Sequence, residues 1–271
     1  MSEGKLTRTD LFSMAIGQII GVGVMTMTGI AIGFTGRSVN LAYIVAGILT
    51  IVSAIPQIYI GGTANFLGGQ YSQIAVLGNK TLAGIFIYIQ VAITLALSMY
   101  TISFSDYFLA LFPGANVKLV SFVVLTVLVG MHLTGVKQAA RLQNLMCAIL
   151  ALGIASYIVF GIGHIQPGYM QMPGLLTGGI GGFALASIYL TFAAGGATYV
   201  VNFSAEAENP TKDIPMVIIV STAAVVLVYA VMATIAAGVL PVEQVANQPL
   251  SVSAQSFMPQ AVYTFFVVGG A

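Results

Sequence analysis

Residues 17–25 read GQIIGVGVM and residues 192–196 read FAAGG, and each stretch interrupts a long apolar segment with glycines. The first segment covers residues 11–34 and the second covers residues 183–204. Glycine lets a helix unwind and lets another group approach the backbone closely. Five apolar segments separate the start of one from the start of the other, so the two interruptions take equivalent places in two halves. Paired interruptions of this kind predict a binding site at the middle of a membrane.

The composition places the chain in a lipid bilayer. Of its 271 residues, 58% are hydrophobic and 6% are charged, whereas a soluble domain carries roughly 25% charged residues. Long apolar runs favour membrane helices over barrel strands. The net charge of +1 argues against a nucleic-acid partner, and the single cysteine, Cys147, excludes an internal disulfide or a cysteine-based metal cluster. We therefore predict an all-α integral membrane protein without a metal or a cofactor.

Seven apolar spans and the start of an eighth follow one another along the chain. They cover residues 11–34, 41–60, 82–104, 117–133, 145–162, 183–204 and 214–240, near the length of about 20 residues that a bilayer requires. The eighth begins near residue 258 and is still apolar at residues 265–268. The sequence thus predicts one transmembrane domain over residues 1–271, truncated within helix 8.

Lysine and arginine are divided unequally between the connections on the two sides of the predicted bundle. The N-terminal side carries Lys5, Arg8, Lys80, Lys137, Arg141 and Lys212, and the other side carries Arg37 and Lys118. The positive-inside rule then predicts a multi-pass plasma membrane protein with a cytoplasmic N-terminus. Spans one and six run in opposite directions, as an inverted repeat requires, with the first repeat at about 11–163 and the start of the second at about 178–271.

A helix broken inside the membrane exposes unpaired N–H groups on one half-helix and unpaired C=O groups on the other. The N–H end attracts a carboxylate and the C=O end attracts an ammonium, so paired breaks suit a zwitterion such as an α-amino acid. Packing is the alternative for the first break, because Gly17 and Gly21 fit a small-xxx-small helix contact. Gly23 lies outside that stripe, and the second break at Gly195 and Gly196 favours a binding site.

Two acidic residues, Glu206 and Glu208, lie at the predicted cytoplasmic end of span six. They are either solvated charges at a helix end or an inner gate that pairs with Lys5 or Arg8. An exposed ion pair contributes only about 0–1 kcal/mol, which suits a gate that must open.

Five stretches resemble the amino acid–polyamine–organocation (APC) transporter family. They are GQIIGVGVM at 17–25, GGQY at 68–71, GVK at 135–137 with LQN at 142–144, FAAGG at 192–196 and EAENPTKDIP at 206–215. The last is the most specific, and the motifs occur in family order along nearly the whole chain. The resemblance implies a LeuT-like inverted-repeat fold in which helices 1 and 6 are discontinuous.

The resemblance also implies the residues of a substrate site. The backbone N–H groups of Gly21, Val22 and Gly23 would hold the substrate carboxylate. The carbonyls of Ile19, Ile20, Phe192 and Gly195 would face its ammonium, with Ala193 and Gly196 in the same stretch. Phe192 matches the aromatic residue that closes over the substrate from the outer side, which makes it a second gate candidate.

The sequence therefore predicts a secondary active transporter, a permease or exchanger of amino acids that works by alternating access, and not an enzyme. No buried acidic residue is expected at the proposed pocket, which favours neutral L-amino acids. Residues 145–151 lack the lysine that replaces sodium in many relatives, so proton or sodium coupling and any partner subunit stay open. The alternatives are a transporter of amines, polyamines or other organic solutes, and a seven-helix receptor, which the lysine and arginine distribution disfavours.

Overall fold

The computed structural model describes residues 5–21, 23–63, 68–94, 101, 104–105, 108, 114–132, 136–171 and 174–270. The regular secondary structure of these residues is helical, apart from one β-bridge between Leu6 and Ala207, and turns and loops connect the helices. The helices are α1 (Arg8–Ile19), α2 (Thr28–Thr35), α3 (Val39–Thr63), α4 (Gly69–Leu77), α5 (Lys80–Thr94), α6 (Val117–His132), α7 (Val136–Gly161), α8 (Gly179–Ala194), α9 (Pro210–Gly238), α10 (Val242–Val245), α11 (Leu250–Phe257) and α12 (Gln260–Gly270).

Four helical stretches among the described residues are long and apolar enough to cross a membrane. They are Arg8–Thr63, which includes the first two predicted spans, Leu145–His164, Gly179–Phe203 and Pro210–Gly238. Shorter apolar helices lie at the third and fourth predicted spans. Large apolar side chains such as Val52 of α3, Tyr88 of α5 and Phe122 of α6 are exposed, as expected for a surface in contact with lipid. A helical membrane protein is confirmed, and the count of seven spans stays a prediction.

Two parts of the helical structure differ from the hydropathy pattern. Helix α7 begins at Val136 instead of residue 145, because Lys, Gln, Ala and Arg residues with good helix propensity extend it beyond the apolar run. The connection after α9 contains the short helices α10 and α11, which are too short to give a reliable periodic signal.

The core of the bundle lies where α3 packs along α9. A Cβ atom at Gly47 would lie 2.6 Å from Val226, and one at Gly61 would lie 2.9 Å from Ile214, so both glycines allow close approach of the two helices. The buried rings of Tyr43 and Tyr229 meet edge to face, with centroids 5.4 Å apart. This packing forms a rigid wall against which the two broken spans lie.

Candidate functional site

The first break separates α1 from α2. Helix α1 ends at Ile19, and the Ile20 N–H donates the closing hydrogen bond to the Ile16 carbonyl at 2.8 Å. Residues Gly23–Met27 form one π-helical turn before α2. Such turns depart from the regular hydrogen-bond ladder and occur frequently at functional sites. Val22, a predicted site residue, lies outside the described residues.

The second break separates α8 from a 3₁₀-helix at Ala197–Phe203. Gly195 is extended, and Gly196 has a φ of +120°, a conformation that residues with a Cβ atom rarely adopt. The helix therefore stops at Ala194 and resumes after two glycines.

The two breaks are in direct contact. Helix α1 lies beside the 3₁₀-helix and α2 lies beside α8, so the two broken spans run antiparallel. A Cβ atom at Gly196 would lie 2.5 Å from the Gln18 carbonyl oxygen, and one at Gly23 would lie 3.2 Å from the Ala193 Cα. Glycine at these positions allows the half-helix ends to meet without side chains between them.

We expect Gly196→Ala to lower the free energy of unfolding by about 2 kcal/mol. Alanine strains the backbone at this positive φ, and its Cβ atom would overlap with the carbonyl oxygen of Gln18. Thermal unfolding of the purified protein in detergent measures the loss. The matched control is Gly84→Ala on α5, where a Cβ atom meets nothing within 4 Å. Equal midpoints for the two variants would contradict the prediction.

The other predicted substrate residues include some whose backbone carbonyls already accept a hydrogen bond and some that are accessible to a ligand. The buried Tyr229 hydroxyl donates to the Ile19 carbonyl at 3.1 Å, and the Gly195 N–H donates to the Phe192 carbonyl at 3.3 Å. Each of these carbonyls keeps a second lone pair. A Cβ atom at Gly21 would meet nothing within 4 Å, and the Phe192 side chain is 75% exposed. Gly21 and Phe192 are thus the accessible members of the set.

A cavity of about 280 Å³ lies beside the second break, between α3, the end of α8 and α9. Its lining consists of Thr50, Ser53, Ala54, Gln57, Thr191, Phe192, Gly195, Gly196, Ala197, Thr198, Ile218 and Thr222. Three of these were predicted site residues, and the polar side chains of α3 and α9 were missed. Their signal was the spacing of Thr50, Ser53 and Gln57, which places three polar groups on one face of an otherwise apolar helix.

Two backbone hydrogen bonds and one ion pair hold the N-terminal end of α1 against the segment that leads into α9 and against the start of α9 itself. The Leu6 N–H donates to the Glu206 carbonyl at 2.7 Å, and the Glu208 N–H donates to the Leu6 carbonyl at 3.0 Å. The Arg8 Nε donates to the buried Asp213 carboxylate at 2.7 Å. We call the Leu6–Ala207 bridge and the Arg8–Asp213 pair the N-terminal latch. Glu206 and Glu208 contribute backbone groups to it, and their side chains are exposed.

The opposite end of the two broken spans is covered by the connection between α7 and α8 and by the connection that follows α9. The Tyr169 hydroxyl donates to the Arg37 carbonyl at 2.6 Å, and the Arg37 guanidinium lies 5.7 Å from the centre of the Tyr169 ring. Burial raises the pKa of Tyr169 to about 12, so this hydroxyl stays a neutral donor at neutral pH. In the second connection, the Asn247 N–H donates to the Gly29 carbonyl of α2 at 2.8 Å.

Two broken antiparallel spans inside a bundle of apolar helices are a feature that many membrane transporters share. The chain belongs to the amino acid permease family, because the family model for amino acid permeases matches residues 6–271. This match confirms the resemblance to the APC transporters.

Three curated relatives illustrate the range of the family. The chain is 25% identical to a branched-chain amino acid permease of Bacillus subtilis, over 91% of the chain and 58% of the relative. It is 25% identical to the methylthioribose transporter of the same organism, over 97% of the chain and 61% of the relative. It is 30% identical to the mouse large neutral amino acids transporter small subunit 2, over 79% of the chain and 44% of the relative. The chain thus spans less than two thirds of the length of each of these relatives.

Proposed function

We propose that this chain is part of the transport machinery of a secondary active transporter for neutral L-amino acids, with a LeuT-like inverted repeat and a cytoplasmic N-terminus. The observation that carries the proposal is the contact between the two antiparallel breaks, at Gly196 with Gln18 and at Gly23 with Ala193. Half-helix N–H and C=O ends then lie close together, and a zwitterion needs both.

A neutral side chain on the substrate is favoured by the lining of the cavity. Among the residues that the structure describes, those that line it include threonines, a serine and a glutamine, and none of them is charged. A cationic or anionic side chain would enter without a counter-charge, which is costly at the middle of a membrane. The names of the branched-chain permease and the large neutral amino acids transporter support the same substrate class.

Alternating access is supported by the different contacts that cover the two ends of the pair of broken spans. The N-terminal latch consists of two backbone hydrogen bonds and one ion pair. The other end is covered by residues 165–171, 174–178 and 241–250, which contact α2 and the 3₁₀ turn Gly36–Ser38. Release of one closure while the other holds would expose the breaks to one side at a time.

A second candidate function is the transport of another organic solute. The methylthioribose transporter matches 97% of the chain at 25% identity, as high as the branched-chain permease. The neutral hydroxyl-bearing cavity also suits a polar uncharged solute.

Counterflow in proteoliposomes tests the proposal. The complete gene product is reconstituted in vesicles loaded with excess unlabelled solute, and entry of labelled alanine, leucine, arginine or methylthioribose is followed. We expect saturable entry of alanine or leucine and little entry of arginine. Entry of methylthioribose alone would favour the second candidate, and entry of none would contradict both.

A further inference from the structure

The GGQY stretch at residues 68–71 forms the start of α4 and lies outside the lining of the cavity. Gly68 and Gly69 have φ angles of +102° and +58°, which residues with a Cβ atom rarely adopt. The N-cap residue is Gly68, so α4 lacks a local Ser, Thr, Asp or Asn side chain to accept from its first-turn N–H groups. The cap of this helix must therefore come from elsewhere in the chain or from water.

Asn202 supplies this cap from a distant part of the chain. The Gln70 N–H of α4 donates to the Asn202 side-chain oxygen Oδ1 at 3.1 Å, and Asn202 belongs to the 3₁₀-helix Ala197–Phe203 that follows the second break. A Cβ atom at Gly69 would overlap with the same oxygen and would lie 2.9 Å from the Asn202 Cα. The glycines at the start of α4 thus let its backbone close around the Asn202 side chain.

The cap joins a fixed element to a hinged one. Helix α4 follows α3 at the end where α3 packs closely on α9, since a Cβ atom at Gly61 would lie 2.9 Å from Ile214 and one at Gly62 would lie 3.3 Å from the Pro215 ring. The 3₁₀-helix, by contrast, is separated from α8 by the two glycines of the second break, where the backbone is least restricted. The same 3₁₀-helix leads into residues 206–208 of the N-terminal latch, so the cap and the latch lie at one end of the bundle.

The contact between Asn202 and α4 can open at little cost. The Asn202 side chain is exposed, so after separation water can reach both its amide oxygen and the N–H groups of α4. Loss of a single cap changes an equilibrium by about fivefold. A change of this size suits a contact that forms and breaks in every transport cycle.

We propose that Asn202 and the start of α4 form a clamp that holds the second broken span closed, and that this clamp opens when the 3₁₀-helix moves. We call the contact between Gln70 and Asn202 the α4 clamp. The N-terminal latch restrains the first broken span and the α4 clamp restrains the second, so each span has its own restraint at the same end. The role of the clamp in alternating access rests on the proposed function.

Alkylation of a cysteine at position 204 tests the α4 clamp. Ser204 directly follows the 3₁₀-helix and is 3% exposed, so a thiol there reacts when this half of the span moves. The reporter protein is the complete gene product with Ser204→Cys and Cys147→Ser, placed in nanodiscs. We expect Asn202→Ala to accelerate its alkylation about fivefold. Asn202→Asp keeps an accepting oxygen and places a negative charge at a helix N-terminus, so it is expected to react no faster than the reporter protein.

Asn79→Ala is the matched control. The Asn79 side-chain oxygen accepts from the Leu82 N–H at 2.8 Å, so Asn79 caps α5 as Asn202 caps α4, without contact to the broken span. Each alanine variant loses one cap, and we expect equal losses in the unfolding midpoint. Only Asn202→Ala is expected to accelerate alkylation, which separates a clamp on the 3₁₀-helix from a general loss of stability.

Three results would each overturn the proposal. They are an Asn202→Ala rate equal to that of the reporter protein, an equal acceleration in Asn202→Asp, and an equal acceleration in Asn79→Ala. Gly69→Ala disrupts the same contact from the side of α4, so its double variant with Asn202→Ala is expected to react no faster than the faster single variant. Alkylation needs no substrate and counterflow needs no cysteine, so the α4 clamp and the proposed function fail separately.

Discussion

Replacing Gly21 with leucine is expected to abolish substrate uptake while leaving the protein folded. No atom of the described part of the chain lies within 4 Å of the position that a Cβ atom would take at Gly21, and the φ of Gly21 is not positive, so the backbone tolerates a side chain there. A leucine would fill the space in front of the N–H groups that we propose hold the substrate carboxylate. Losing two hydrogen bonds to a charged group, each contributing about 1.5–3 kcal/mol, lowers uptake by about 100-fold or more.

Counterflow of labelled alanine or leucine measures the effect, and thermal unfolding checks the fold. The matched control is Gly130→Leu on α6, where a Cβ atom likewise meets none of the described residues within 4 Å. Its uptake and its unfolding midpoint are both expected to equal those of the unchanged protein. Gly23→Leu is expected to differ from both variants, because Ala193 lies 3.2 Å from a Cβ at Gly23 and packing is lost as well. Normal uptake by Gly21→Leu would place the substrate away from the first break.

Local chemistry explains why the breaks were predictable from sequence. Glycines that interrupt an apolar run have few explanations, and both Gly21 and Gly196 lie where a helix stops. The contact between the two breaks, by contrast, could not be predicted from the sequence. It depends on which face α1 turns toward the 3₁₀-helix, and two apolar segments of low amphipathicity do not specify that face.

The polar residues within the apolar spans were the hardest part of the sequence to interpret. Thr50, Ser53 and Gln57 lie in the predicted span 41–60 and are not among the predicted site residues. A hydroxyl bonded to its own helix backbone has little cost in an apolar span, so such a residue does not stand out as functional. Only the position of α9 and the end of α8 turns that face into the wall of a cavity. The sequence predicted Glu206 or Glu208 as the partner of Lys5 or Arg8, and Asp213, which lies within eight residues of both, was not among the candidates. Asp213 pairs with Arg8 because it is the one that α9 buries beside α1.

Removing the ion pair of the N-terminal latch is expected to release α1 and expose Cys147. Asp213 is 3% exposed and Arg8 is 45% exposed, so the pair stabilises the contact between α1 and α9 more than a surface pair would and less than a fully buried pair would. We take its contribution as about 1–2 kcal/mol, which corresponds to a change of about 5- to 30-fold in an equilibrium. The Cys147 thiol of α7 lies 3.6 Å from the Ser13 carbonyl of α1 and is the only cysteine in the chain, so its alkylation reports displacement of α1.

We therefore expect Arg8→Gln and Asp213→Asn each to accelerate Cys147 alkylation about 5- to 30-fold. Because the two residues act through one interaction, the double variant is expected to react no faster than the faster single variant. Lys80→Gln removes an equal charge from the exposed start of α5 and is expected to leave the rate unchanged. A rate in the double variant that rises by the product of the two single-variant factors would mean that the two side chains stabilise α1 separately. Unchanged rates in both single variants would mean that the backbone hydrogen bonds of Leu6 hold the closed end without the ion pair.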